Sequence, residues 1–120
     1  MASTQKIFAL VLGIVLALVG ILGFINNPII GDSGFFGTNM YQDILHIIAG
    51  AFGIWVGTKG MGQGYNLSLG WIAIVLGIIG FIPKVKDLLL QWLNINTEIT
   101  ILHIVIGIVA LLVYYTTEKE

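Results

Sequence analysis

Long apolar runs alternate with short polar ones along this chain. Four runs stand out: Ile7 to Ile25, which holds no charge; Met40 to Gly57, with Gln42 and Asp43 in its first turn; Leu67 to Ile82; and Ile99 to Tyr115. A helix needs about 20 mostly apolar residues to cross a hydrocarbon layer of about 30 Å, and each run approaches that length. Strands do not fit. The runs are continuously apolar, whereas strands of a membrane barrel alternate lipid-facing and lumen-facing residues, and four strands would leave open edges that lipid cannot satisfy. The pattern predicts an all-α integral membrane protein with four spans, one membrane domain over residues 1–120.

The connections carry their own signals. Asn26 to Asn39 is rich in Gly, Asn and Asp and reads as a loop; Thr58 to Asn66, which includes Gly60 to Gly64, reads as a flexible connection. Pro83 to Glu98 contains KVKDLLLQWL, charged at its start and Leu-rich towards Trp92. It predicts a short helix lying at the membrane surface, where Trp prefers to sit. The first run is longer than the apolar part of a signal peptide, and no small-x-small cleavage pattern follows it, so it reads as a span.

Shifted by 57 positions, the sequence matches itself without a gap: Gly13 falls on Gly70, Gly20 on Gly77, Gly23 on Gly80, Asn39 on Asn96, His46 on His103 and Gly50 on Gly107. Apolar helices coincide by chance at Ile and Leu, far less often at Asn, His and several Gly together. The chain therefore reads as a tandem repeat of a two-helix unit, about residues 7–57 and 64–115, folded as a four-helix bundle. Each unit crosses twice, so the copies enter from the same side. They are parallel, related by a pseudo-two-fold axis along the membrane normal. Phe35 and Trp92 also match, as residues of one interfacial belt would.

Charge adds orientation and exclusions. Hydrophobic residues make up 58% and charged residues 9% of the chain, against about 25% charged in ordinary soluble domains. Lys6, Lys59 and Lys119 fall on one predicted side, Lys84 and Lys86 on the other. The excess of positive charge puts both termini in the cytoplasm. With five Lys, no Arg and a net charge of −1, no basic face exists to neutralise a run of phosphates, which excludes nucleic acid as a partner. The absence of Cys removes disulfides, thiolate metal sites and lipidated cysteines.

Small residues recur at helical spacing: Ala9, Gly13, Ala17 and Gly20; Ala49, Gly50, Gly53 and Gly57; Ala73 and Gly77; Gly107 and Ala110. In lipid such stripes let backbones approach closely. They serve packing inside the bundle or, on the alternative, a homodimer surface.

Polar residues at membrane depth are few. Asn39 and Asn96 stand where helices should begin and read as N-caps; Asn39 followed by Gln42 resembles a capping box. Asp43 and Glu98 suit the positive end of a helix dipole. His46 lies deeper, about 9 Å along the axis from Met40, with His103 at matching depth. Asp43 and Thr100, three residues before each, stand on the same helical face as the imidazoles. Three readings of the His pair are open: interhelical hydrogen bonding that pins the bundle; axial ligation of one haem b, with Gly50 and Gly107 leaving room for the macrocycle, though no Arg is present to pair the propionates; or a proton or ion path, which lacks a mid-span carboxylate to continue it. No Ser/His/Asp ordering, HExxH pair or phosphate-cradling loop is present, so no enzyme activity is expected.

Two copies of Asn, six residues, His, three residues and Gly, each after a Gly-containing span ending in Gly-Phe-Ile, resemble a family of small four-span bacterial and archaeal membrane proteins catalogued as a domain of unknown function. The likeness covers about Ile7 to Tyr115. It implies a prokaryotic cytoplasmic membrane and no assigned activity. The expectation is a non-enzymatic accessory or scaffold protein without cofactor, partnered by the lipid bilayer and by a second copy or a larger membrane complex. The alternatives are a bis-His haem electron carrier and an oligomeric pore or carrier.

Overall fold

Ser3 starts the first helix by accepting the Lys6 N–H on its hydroxyl at 3.1 Å, a side-chain cap for an otherwise free donor. The computed structural model describes residues 3–118. Its helices are α1 (Thr4–Gly23), α2 (Met40–Thr58), α3 (Gly62–Ile79), α4 (Pro83–Leu93) and α5 (Thr97–Thr116). The loop before α2 holds two short strands, β1 (Ile30–Gly31) and β2 (Phe36–Gly37), paired in parallel with Ile30 opposite Phe36. The fold is all-helical apart from this pair.

α3 begins at Gly62, earlier than the expected Leu67. The physical reason is a close approach. A Cβ on Gly62 would lie 2.6 Å from the Gln5 carbonyl oxygen and 2.8 Å from Ala9 Cβ, so the glycine lets the first turn of α3 dock on α1. The next turn brings Tyr65 and Asn66 into the interior. The expected connection shrinks to a tight turn through Gly60, whose φ of +73° suits glycine. α4 has Pro in its first turn, where no backbone N–H is missed, and ends on Asn94 in the left-handed region at φ 53°.

The largest interfaces are α1 against α2 and α3 against α5, with α1 and α3 meeting between them. Their closest approaches recur 57 residues apart. A Cβ on Gly20 would lie 2.6 Å from the Asp43 carbonyl oxygen and against Ile47; one on Gly77 would meet Ile104 and the Thr100 carbonyl oxygen. Gly50 rests on the backbone of Gly13 and Ala17, Gly107 on the carbonyl of Gly70 and on Ile74. Gly50 and Gly107 are thus filled by α1 and α3, and do not supply the room for a macrocycle that their spacing from His46 and His103 predicted.

An apolar core of Ala9, Leu12, Leu16, Val56 and Tyr65 is joined by buried polar residues, and the outer surface is largely apolar. Gln5, Thr38, Gln42, Asp43, Asn66 and Thr100 are buried, while Val11, Leu18, Ile48, Phe52, Ile72, Ile78, Val105 and Leu112 are exposed. Among the described residues three helices, α1, α3 and α5, are long and apolar enough to cross a membrane. α2 is 19 residues long but less apolar, because Gln42, Asp43 and His46 lie in it. α4 has no buried residue; Val85, Leu88, Leu89 and Trp92 recur at the spacing of one helical stripe.

Candidate functional site

Polar side chains gather where α2 and α5 begin. Asn39 caps α2, accepting the Gln42 N–H at 3.0 Å, and Asn96 caps α5, accepting the Ile99 N–H at 3.0 Å. Each Asn also reaches across to the other half. Asn39 Nδ2 donates to the Trp92 carbonyl at 2.8 Å, and Asn96 Nδ2 donates to the Phe35 carbonyl at 3.0 Å. Phe35 and Trp92 are themselves 57 residues apart, so the exchange is reciprocal. Gln42 does not close a capping box. Its Nε2 instead donates to the Gly37 carbonyl at 3.0 Å and the Leu93 carbonyl at 2.8 Å. Asn94 Nδ2 completes the clasp on the Thr38 carbonyl at 2.9 Å.

The double duty of Asn39 can be separated. Asn39→Ala removes the cap and the cross-link, and is expected to cost about 1–2 kcal/mol. Asn39→Asp keeps the cap acceptor and loses only the donor to Trp92. Thermal unfolding in detergent should place Asn39→Asp between the wild type and Asn39→Ala; an Asn39→Asp protein as stable as the wild type would mean the cross-link contributes nothing.

One turn inside this clasp, His46 on α2 and His103 on α5 face each other with ring centroids 6.0 Å apart and planes tilted by 59°. The Nδ1 of each is buried without a hydrogen-bond partner. Thr100 does not orient His103: its hydroxyl donates to the Asn96 carbonyl at 2.8 Å. Asp43 is almost completely buried, and its carboxylate rests on Gly23, where any Cβ would collide with it. Glu98 lies in the first turn of α5. Among the described residues no group of three or more His, Cys, Asp or Glu gathers as a metal site.

A second polar knot lies at the other end of the helices, and sequence reasoning missed it. Gln5 Nε2 donates to the carbonyls of Val113 at 2.9 Å and Tyr114 at 3.1 Å and to Thr117 Oγ1 at 2.7 Å. Asn66 Nδ2 in turn donates to the backbone carbonyl and to Oε1 of Gln5, both at 2.9 Å. Both residues are fully buried. Gln5 therefore joins α1 to α5, and Asn66 joins α3 to α1. Shifted by 57 positions, Asn66 falls on Ala9 and Gln5 on Gly62, so the match of the sequence to itself gave no signal for the knot.

A family model described as a domain of unknown function (DUF4383) matches residues 6–116. No curated protein matches the chain, and no solved structure does.

Proposed function

The chain belongs to the DUF4383 family, and from that premise we propose that it is a four-span, non-enzymatic membrane protein made of two related hairpins, α1–α2 and α3–α5, acting as an accessory or scaffold subunit in a prokaryotic cytoplasmic membrane. One observation carries the fourth span. α2 turns Gln42 and Asp43 inward and exposes Ile44, Leu45, Ile48, Phe52 and Trp55, so its polar residues lower its average hydropathy without reaching lipid. Packing rather than composition makes it compatible with a bilayer. The duplication is supported by the recurring glycine contacts and by the reciprocal Asn bonds. The structural role is supported by where the amide donors go: Asn39, Gln42, Asn66, Asn94 and Asn96 are all spent on backbone carbonyls of another element. α4 fits an interfacial helix, with Trp92 at the headgroup level.

The absence of native cysteine makes the span count directly testable. Lys6→Cys and Lys59→Cys are expected to react with an impermeant maleimide from the same, cytoplasmic side, and Lys84→Cys from the other. If α2 lay along the surface instead, Lys6→Cys and Lys59→Cys would label from opposite sides, and the four-span reading would fall.

A second reading, haem b held between His46 and His103, is favoured by the spacing of the two imidazoles, one from each hairpin, with both Nδ1 atoms unbonded. The glycines do not support it, since α1 and α3 fill their space. An absorption spectrum of protein expressed with ample haem separates the readings. The scaffold reading expects a colourless protein, whereas a Soret band lost in both His46→Ala and His103→Ala would establish the haem.

A further inference from the structure

α2 and α3 are joined by a tight turn, yet they meet far less than α1 and α2 or α3 and α5 do. Between them runs a groove of about 630 Å³. Its floor is Tyr65, a buried residue whose hydroxyl donates to the Ala49 carbonyl at 2.8 Å. Gly53 makes room for that ring, since a Cβ there would lie 2.6 Å from the Tyr65 hydroxyl oxygen. The floor is thereby fixed to α2 by a bond and by a close fit. Leu45, Ile48 and Phe52 of α2 and Ile72 of α3 line the groove and are exposed. At Gly64, which also lines it, nothing lies within 4 Å of an added Cβ.

The repeat alone does not dictate this groove. Shifted by 57 positions, its lining residues Ala49, Gly64 and Ser68 fall on Ile106, Ile7 and Val11. Small residues thus stand where the other half has branched ones, and Ile106 packs there against the core. Ile48, Phe52 and Ile72 fall on Val105, Val109 and Val15. The first set of changes removes bulk from the space, and the second raises its sides.

Length and charge identify the occupant. On α2 the lining runs from Leu45 to Val56, about 16 Å at 1.5 Å per residue, or about half of a hydrocarbon layer of about 30 Å. That is the depth of one leaflet; a spanning helix of a partner would call for a trough of the full thickness. One end of the groove lies at the turn of residues 59–61, between the lining residues Val56 and Met61. Lys59 stands in that turn. It is the only Asp, Glu, Lys or Arg between Asp43 and Lys84, and among the described residues no acidic side chain pairs with it. α3 begins beside it without a side-chain cap, so the positive end of the helix dipole adds to the Lys59 charge.

We propose that this groove binds one acyl chain of an anionic phospholipid, drawn from the leaflet on the side of the α2–α3 turn, with the lipid phosphate at Lys59. The inference rests on the four-span reading, which puts that turn at the membrane surface. The chain supplies apolar contact in a space that water does not fill at membrane depth, and the phosphate supplies the negative charge that the turn lacks. The lipid would tie α2 to α3 along the side where the protein's own contacts are fewest.

The test is native mass spectrometry of the full chain released from detergent, with phosphatidylglycerol and phosphatidylcholine of identical chains in equal amounts. The wild type is expected to retain one lipid and to prefer phosphatidylglycerol by about fivefold, the ratio equivalent to about 1 kcal/mol for a basic side chain at an anionic surface. Lys59→Gln should still retain a lipid but without preference. Gly64→Leu, which fills the groove without meeting a neighbour, should lose both lipids and keep the wild-type unfolding midpoint. Should Gly64→Leu prove unstable, Ser68→Leu takes its place. Equal retention of the two lipids by the wild type, a preference that survives Lys59→Gln, undiminished retention by the groove-filling variant, or a second copy of the chain bound in place of lipid would each overturn the proposal. Maleimide labelling separates this inference from its premise. Lys6→Cys and Lys59→Cys labelled from opposite sides would remove the four-span reading and the lipid site with it; labelling from the same side with no lipid retained would overturn the lipid site alone.

Discussion

Gly50→Leu is expected to abolish the folded monomer, while Gly64→Leu leaves it intact. The two glycines share a residue type and differ in surroundings. A Cβ on Gly50 would run into the backbone of Gly13 and Ala17 on α1. Backbone cannot rotate away as a side chain can, so a larger residue can be admitted only by separating α1 from α2, the most extensive interface in the molecule. Overpacking a core typically costs about 1–3 kcal/mol; a leucine against two backbone segments belongs at or above the top of that range. Around Gly64, by contrast, nothing lies within 4 Å of an added Cβ. Gly107→Leu, pressed on Gly70 and Ile74, should behave like Gly50→Leu. Size-exclusion chromatography with thermal unfolding in detergent checks all three. A Gly50→Leu protein that stays monomeric, with an unchanged unfolding midpoint, would sink the expectation. One that loses only an oligomer would turn this face into a homodimer surface.

The same contacts explain which parts of the molecule were legible beforehand. Helix positions follow from apolar runs, and the ends of α2 and α5 follow from Asn39 and Asn96, because a cap is a local event between a side chain and a backbone N–H three residues on. The 57-residue register is also a property of the sequence. The start of α3 was missed because Gly62, Gln63 and Gly64 read as turn residues when taken alone; Gly62 is helical because it permits contact with Gln5, a residue far away in the chain. The Asn39–Gln42 box was a local inference that failed because the bonds from Gln42 Nε2 to the Gly37 and Leu93 carbonyls hold the amide elsewhere, and Oε1, the acceptor a box would use, has no partner. Thr100 offered the spacing to orient His103 and instead turned to the nearer Asn96 carbonyl. Gln5 and Asn66 flank apolar runs, and from sequence they resemble polar residues facing water or headgroups. Only the crossing of α1, α3 and α5 buries them.

That crossing makes Gln5→Leu the second most damaging substitution expected. Gln5 Nε2 serves the carbonyls of Val113 and Tyr114 in the last turn of α5; Val113 also accepts the backbone N–H and the hydroxyl of Thr117. Leucine has similar bulk but donates nothing, so two carbonyls and Thr117 Oγ1 lose this donor at a buried junction. Asn66 also loses its partner at Gln5 Oε1 while keeping the Gln5 backbone carbonyl. Each buried polar group left unserved costs about 1–3 kcal/mol; since Val113 and Thr117 stay bonded to each other, the loss falls on the Tyr114 carbonyl and the Asn66 amide, and a total of about 2 kcal/mol is expected. Asn66→Leu is the informative companion. It removes both Asn66 donors but leaves Gln5 bonded to α5, so it should cost less than Gln5→Leu. The double variant should cost less than the sum of the two, because the Gln5 Oε1 bond is counted in both. Unfolding midpoints of the four proteins in one detergent close this cycle. Strict additivity would mean that the two amides act independently and that no knot joins α1, α3 and α5 at this end.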